Sequence, residues 1–329
     1  TGVVGASAPT TEHLAELGAV AGVNGDFFDI SGSDHHPDPT YAPVGPAIAD
    51  GTDFGGPVPQ AQRFGLPPTA EPNHNQTVFA AGDDGAVITE LSVTGTVTTS
   101  AGQIEVAGLD QYALAENGVG VFTPLWGTSS RLRATCGSDT GRNDPCAEET
   151  REVVVTDGVV TEVRDEPGSG PIGAGQVVLV GREDGAHALE SLAHGDAVSV
   201  NTGLSAATDA DLDVAVGGFP ILRAGEPTAD LDEEVFAPRT GVGVDAEGET
   251  VYLLTIDGGA EHSIGYSIAS MAQALLELGA TDALNLDGGG STTMVTNGQR
   301  DDGVTLQNVP SGSMERPVPN GIGVFGHRP

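Results

Sequence analysis

The sequence predicts an α+β fold with mixed β-sheets, few helices and a β-rich middle. Three observations predict it. Short Val-rich runs with period-two alternation recur along the chain, separated by turn signals such as Asp157-Gly158 and Glu247-Gly248. Only two stretches carry helical periodicity. The chain holds 49 Gly and 21 Pro but only 4% aromatics, so it turns often and its core rests on Val, Ala, Leu and Ile.

In chain order, PTTEHLAELG reads as a short helix capped by Thr10 or Thr11 and stopped by Gly18. AVAGVNGDFF follows as a strand. Residues 31–75, rich in Gly, Pro, Asp and His, read as a long surface loop with short extended pieces. From about 78 to 201 the pattern is β throughout, including the hairpins VFAAGDDGAVITELSVTGTV and EVVVTDGVVTEVRD and the strands QVVLVGRE and AVSVNTGL. DVAVGGFPILRAGE and the hairpin TGVGVDAEGETVYLLTIDG come next. The one long helix is expected over Ser263 to Gly279. Its Ile268, Met271, Ala272, Leu275, Leu276 and Leu278 form an apolar side of core residues. NGIGVF is a last strand. No linker interrupts the pattern, so residues 1–329 are expected to form one domain with the β-rich region, about 78–201, inside it.

The formal charge is −35, from 47 acidic and 12 basic residues, every basic one an Arg. Such a charge argues against nucleic acid and anionic membrane surfaces as partners. No apolar run has the length of a membrane span. Cys136 and Cys146 flank a polar loop and are expected to pair, with free thiols the alternative. No signal-peptide pattern is present, and the chain opens on Thr1-Gly2-Val3. The expectation is a secreted or extracellular protein from which an N-terminal segment has been removed.

The chemistry begins with an internal repeat. LAELGAVAGVNGD at 14–26 aligns with LLELGATDALNLD at 275–287, and Asn24 meets Asn285 as Asp26 meets Asp287. Each copy reads helix, Gly stop, short strand, Asn-x-Asp. Residues two apart on a strand share a face. If the two units lie side by side in one sheet, four polar side chains converge at the strand ends, where sites commonly form. Asp26 and Asp287 are then candidate catalytic carboxylates, and Asn24 and Asn285 candidate ligand-binding side chains. After Asp287, the bare backbone of Gly288, Gly289 and Gly290 can form an anion-binding concavity, with Ser291 and Thr292 as hydroxyl donors. Asp257, in TIDGG, is a weaker candidate.

Several pieces resemble the phosphodiester glycosidase family: RTGVGVDAEG at 239, IDGG at 256, SIGYSIASMAQALLELGA at 263, NLDGGGST at 285 and ERPVPNGIGVF at 315. VGGFPILRAG at 216 also fits, TPLWG at 123 resembles bacterial members, and GVNGDFFD at 22 resembles the N-terminal motif. That motif carries Gly where this chain has Asp26, so the family does not require a carboxylate there. The resemblance implies an α+β fold of its own topology. It implies a hydrolase that cleaves a sugar-1-phosphodiester of the N-acetylglucosamine type into free sugar and a phosphomonoester. Its motifs place Arg239, Thr240 and Arg316 at the substrate, the two arginines as a phosphate clamp. Asp287 is expected to activate water at C1 or attack it, with Asn24 and Asn285 binding sugar hydroxyls or orienting water. The alternatives are a phosphodiesterase cutting the P–O bond in exopolysaccharide or teichoic-acid-like polymers, and a non-catalytic wall-polysaccharide binder. The expected partner is a sugar phosphate or a cell-surface glycan.

No cofactor is expected. His35, His36 and Asp38, with Asp29 and Asp34, invite a metal reading that adjacent His and Asp in a loop satisfy without one. The acidic run Asp209, Asp211, Asp213 starts like a calcium loop but lacks its Gly and closing Glu, so Ca2+ is compatible there without being specified.

Overall fold

A computed structural model describes residues 2–65, 76–208, 210–259, 261–297, 304–312 and 314–326. The part of the expected loop at 66–75, and Asp209 of the acidic run, lie outside the described residues. Within them the fold is α+β, with three α-helices against four sheets.

Two of the sheets carry the repeat. The first is four-stranded, in the order 304–306, 294–297, 21–24, 321–324. The second is five-stranded, in the order 226–227, 219–223, 282–285, 239–244, 251–256. Strands 21–24 and 282–285 therefore belong to different sheets, which corrects the expectation that the two units share one. The sheets meet through a common core of Val23, Val242, Val244, Leu284, Leu286 and Ile322, joined by Phe79 and Val216. Each repeat strand is paired antiparallel to a look-alike strand. Asn24 lies opposite Gly321 of PNGIGV, and Asn285 lies opposite Gly241 of RTGVGV. The repeat thus extends to a second element in each unit.

Helix α1 (Thr10–Leu17) covers the first sheet through Leu14, which packs with Ala19 and Val295. Its N-cap is Pro9, and no side chain of its own caps it. Glu315 from the C-terminal segment does so instead, accepting the Thr11 N–H at 2.9 Å and its hydroxyl at 2.7 Å. A carboxylate at a helix N-terminus is favoured by the orphan N–H groups and the macrodipole. Helix α2 (Asp184–Leu189) was not evident in the sequence, being a six-residue turn with no side-chain cap.

Helix α3 (Ile268–Leu278) is shorter than the periodicity suggested. Ser267 caps it by accepting the Ser270 N–H, so residues 263–266 precede it as loop, and Gly279 ends it in the left-handed conformation. α3 packs Ile268, Met271, Ala272 and Leu275 on Ile221, Leu222 and Ala283 of the second sheet. Gly241 and Gly243 permit this approach, since a Cβ on either would press on Met271 or Ala280.

The remaining two sheets build the middle. One orders strands 159–164, 150–156, 176–182, 119–122 and 108–109. The other runs 199–206, 85–99, 77–82, 214–217, 47–49, 52–55, with 102–105 paired to the long strand 85–99. Asp157 and Gly158 both adopt positive φ, as the hairpin's two-residue turn requires. Cys136 and Cys146 form a disulfide.

Candidate active site

The two repeat units meet at their strand ends even though their sheets differ. Asn24 lies 0% exposed and is fully committed. Its Nδ2 donates to the Asp287 carbonyl at 2.7 Å. Its Oδ1 accepts from the Thr240 hydroxyl at 2.8 Å and from the Thr293 N–H at 3.0 Å. The Asp287 N–H in turn donates to the Gly25 carbonyl at 3.0 Å. Asn24 and Thr240 therefore fix the backbone that presents Asp287. Both are buried, and these bonds are made inside the protein.

Asn285 is the opposite case. It is 1% exposed, and neither Nδ2 nor Oδ1 has a hydrogen-bond partner among the described residues. The hydroxyls of Thr292 and Thr293 nearby in sequence are also buried and unpartnered. Leaving a buried amide unpaired is costly, and the few such groups in folded proteins call for a reason. Strand periodicity directs Asn285 and Asp287 to one face, away from Leu284 and Leu286 in the core.

Asp287 retains a partly accessible surface, but the protein packed around it pushes its pKa up to about 6. Burial is the main cause. A hydrogen bond from Ser291, the charge of Arg316 and the Gly288 N–H oppose it. Arg316 donates from Nη1 to the Ser291 hydroxyl at 3.2 Å, so Asp287, Ser291 and Arg316 form one connected group.

The glycines serve this group differently from the expected anion nest. Residues Gly289–Ser291 form a 3-10 turn. The Gly289 N–H is spent on the Pro238 carbonyl at 2.9 Å and the Ser291 N–H on Gly288 at 3.1 Å. The Gly288 N–H bonds the Asp287 carboxylate. What the bare backbone provides is room. Arg316 lies directly over Gly290, where any Cβ would collide with its guanidinium, and Gly288 sits against Pro238.

Asp26 is 2% exposed, and one carboxylate oxygen accepts the Gly45 N–H at 2.6 Å. Its own N–H donates to the Asn320 side chain at 3.0 Å. Burial raises its pKa to about 7, against hydrogen bonds from Gly45 and Phe27, with the Asp287 charge adding to the rise. The two repeat carboxylates thus sense each other, but Asp26 is sealed inside the wall.

Arg239 is not part of the group around Asp287. Its Nε donates to the Tyr266 carbonyl at 3.0 Å and its Nη2 to the Val235 carbonyl at 2.7 Å, with Asp232 at 4.0 Å. Of the two arginines expected at the phosphate, the described residues bring only Arg316 into the group around Asp287. Asp257 is engaged by His262 at 3.2 Å and by the Val309 N–H at 3.0 Å. Asp29 is held by Thr40, and His36 is buried beside Arg133. No group of three or more His, Cys, Asp or Glu among the described residues is placed to hold a metal.

Two further residues near the site were not singled out in the sequence. Arg63 stacks its guanidinium 4.4 Å from the centre of the Phe219 ring, and Phe219 is the residue directly opposite Asn285. Asn320, which receives the Asp26 N–H, occupies the position in PNGIGV that Thr240 holds in RTGVGV. That register was legible in the sequence.

The segment that supplies Arg239 to Arg316 lies inside the match to the phosphodiester glycosidase family model, which covers residues 149–325, more than half of the chain. The chain belongs to the phosphodiester glycosidase family. It is similar to N-acetylglucosamine-1-phosphodiester alpha-N-acetylglucosaminidase of Bos taurus, 44% identical over 77 residues. The Homo sapiens enzyme of that name is 42% identical over the same length. Each match spans 23% of this chain and 13% of the relative. Two solved structures share the fold across 98% of this chain, each with a TM-score of 0.71. One is a hypothetical protein from Synechocystis, 22% identical, with 54% of its chain covered. The other is a candidate exported protein from Burkholderia pseudomallei, 23% identical, with 69% covered. The family's motifs at 239, 285 and 315 thus coincide with the strand end, the turn and the arginine described above.

Proposed function

We propose that this family member hydrolyses a sugar-1-phosphodiester of the N-acetylglucosamine type at the C1–O bond, releasing free sugar and a phosphomonoester. One observation carries the reading. A carboxylate whose pKa burial raises to about 6 is tied to a hydroxyl and a guanidinium, beside a buried asparagine with no partner of its own.

The residues divide the work. Arg316 spends one N–H on Ser291 and has others to offer, five in all on a guanidinium, so it accepts the charge that grows on the departing phosphate. A phosphate ester leaves well on its own, so charge neutralisation matters more than proton donation. Asp287 in its ionised form takes the proton of the water that adds to C1, while the C1–O electron pair leaves with the phosphate. Its charge also steadies the oxocarbenium-like transition state. Asn285 binds a sugar hydroxyl or the N-acetyl group, which satisfies its amide only when substrate is present. Asn24 and Thr240 hold the Asp287 backbone, and Asp26 closes the wall behind it. The disulfide and the acidic surface fit an exported protein, and a cell-surface glycan or a free sugar phosphate fits as substrate.

The test is turnover of synthetic N-acetylglucosamine-1-phosphodiesters, with products separated by chromatography. Release of N-acetylglucosamine and a phosphomonoester supports the proposal. Release of N-acetylglucosamine-1-phosphate identifies P–O cleavage instead and overturns it.

A further inference from the structure

Glu315 and Arg316 are neighbours in the chain but face different partners. Glu315 accepts the Thr11 N–H at 2.9 Å and the Thr11 hydroxyl at 2.7 Å, both in the first turn of α1. Arg316 reaches Ser291 at 3.2 Å and lies over Gly290. Two residues on, Val318 and Ala8 exchange backbone hydrogen bonds at 2.9 and 3.1 Å, and the Val318 carbonyl meets His13 Nε2 of α1 at 2.9 Å. Asn320 then receives the N–H groups of Gly25 and Asp26. Upstream, the nearest hydrogen-bonded ties among the described residues are at Asn308, to Thr292 and Met294, and at Val309, to Asp257. Glu315 is therefore the last hold on the backbone before Arg316.

That hold bears on the site for two physical reasons. An arginine head sits at the end of a long flexible stem, so its aim is set by where its backbone is fixed. This chain also carries 47 acidic residues against 12 basic ones, so a guanidinium that drifts finds other carboxylates to pair with. The N–H groups and macrodipole of α1 favour a carboxylate at this end, which makes α1 a firm seat for Glu315.

We propose that Glu315, seated on the N-terminus of α1, is a positioning residue that aims Arg316 at Asp287 and at the phosphate. The phosphate half rests on the proposed function, and the aim at Asp287 does not. The sign of one effect isolates the role. The charge of Arg316 holds the Asp287 pKa down against burial. Once Glu315 lets go, Arg316 moves off and the Asp287 pKa rises above about 6. Deleting the Glu315 charge by itself acts the other way, because fewer anions nearby lower the pKa of an acid. A rise therefore reports the displacement of Arg316 and not the missing carboxylate. Asp26, the other charged group coupled to Asp287, is the same in every variant.

The experiment is a carbon-NMR titration of the Asp287 carboxyl in the protein without substrate, the signal assigned by its loss in Asp287→Asn. Glu315→Ala is expected to raise the Asp287 pKa by about one unit. Thr11→Val removes one of the two bonds from the far side and raises it by less. It keeps every residue of the site, so it gives the reading even if Glu315→Ala does not fold. In an Arg316→Ala background, Glu315→Ala raises the pKa no further. Ala15→Gly, which weakens α1 at an exposed position and leaves the Glu315 tie intact, keeps the wild-type value. No rise in either tie variant, an equal rise in Ala15→Gly, or a full rise without Arg316 overturns the proposal. At pH 8, kcat/KM of Glu315→Ala on an N-acetylglucosamine-1-phosphodiester is expected to fall about tenfold, and an unchanged value removes the phosphate half. A risen pKa in a protein whose wild type does not hydrolyse the ester upholds the aim at Asp287 and refutes the reaction. Turnover with an unmoved pKa does the reverse.

Discussion

Replacing Asp26 by Asn removes a buried acid while keeping an oxygen to accept the Gly45 N–H. The pKa of Asp26 rises from 3.8 to about 7 in the folded protein, chiefly through burial. For an acid raised in this way the neutral form is the one the fold prefers. The cost of folding is absent below the unfolded value of 3.8. It grows as the pH climbs and is complete above about 7. At about 1.36 kcal/mol per pH unit, wild type loses roughly 2 kcal/mol to this group at pH 5 and roughly 4 kcal/mol at pH 8. The Asp26→Asn variant, with no proton to lose there, escapes that cost. The stability of the variant relative to wild type should therefore rise by roughly 2 to 3 kcal/mol between pH 5 and pH 8. Asp110, raised to about 7 in the same way, is common to both proteins and cancels. Urea titrations at four pH values measure the difference directly. A difference that stays flat or falls with pH would show that Asp26 folds in its ionised form, and would refute the reasoning.

The two look-alike asparagines should part company. Asn24→Ala breaks three hydrogen bonds between the units and should cost about 3 kcal/mol in denaturant melts. Asn285→Ala removes only unpartnered atoms, so it should leave stability within about 1 kcal/mol of wild type or raise it, while lowering kcat/KM by tenfold or more. Arg316→Lys keeps the charge but loses the fork, and should lower kcat/KM about 100-fold, equivalent to about 3 kcal/mol. Because Asp287 works ionised, kcat/KM should fall as the pH drops through about 6, and a profile flat between pH 5 and pH 7 would remove it as the base.

The repeat, the hairpins and the family motifs were legible because each is local. Asn-x-Asp after a Gly stop survives in both copies, and Asp157-Gly158 dictates its turn in any context. The errors concern what pairing and packing decide. Nothing local distinguishes two units in one sheet from two units in facing sheets. The distinction depends on 239–244 and 321–324, whose shared Gly-x-Gly-Val was the available signal. Likewise Arg239 and Thr240 adjoin on one strand, so the pleat sends their side chains to opposite faces. The motif supplies both residues, but only the folded chain shows Thr240 reaching Asn24 and Arg239 reaching two loop carbonyls. The caps tell the same story. Thr10 and Thr11 have the right chemistry for the start of α1, yet Glu315, 304 residues from Thr11, takes the place.

The most direct test follows a single turnover of an N-acetylglucosamine-1-phosphodiester in ¹⁸O-water, with Asp287→Asn run beside the wild type. The account predicts ¹⁸O on C1 of the released sugar, none in the phosphomonoester, and at least a thousandfold slower reaction for the variant. Label in the phosphate, or a variant that keeps pace with the wild type, would contradict it.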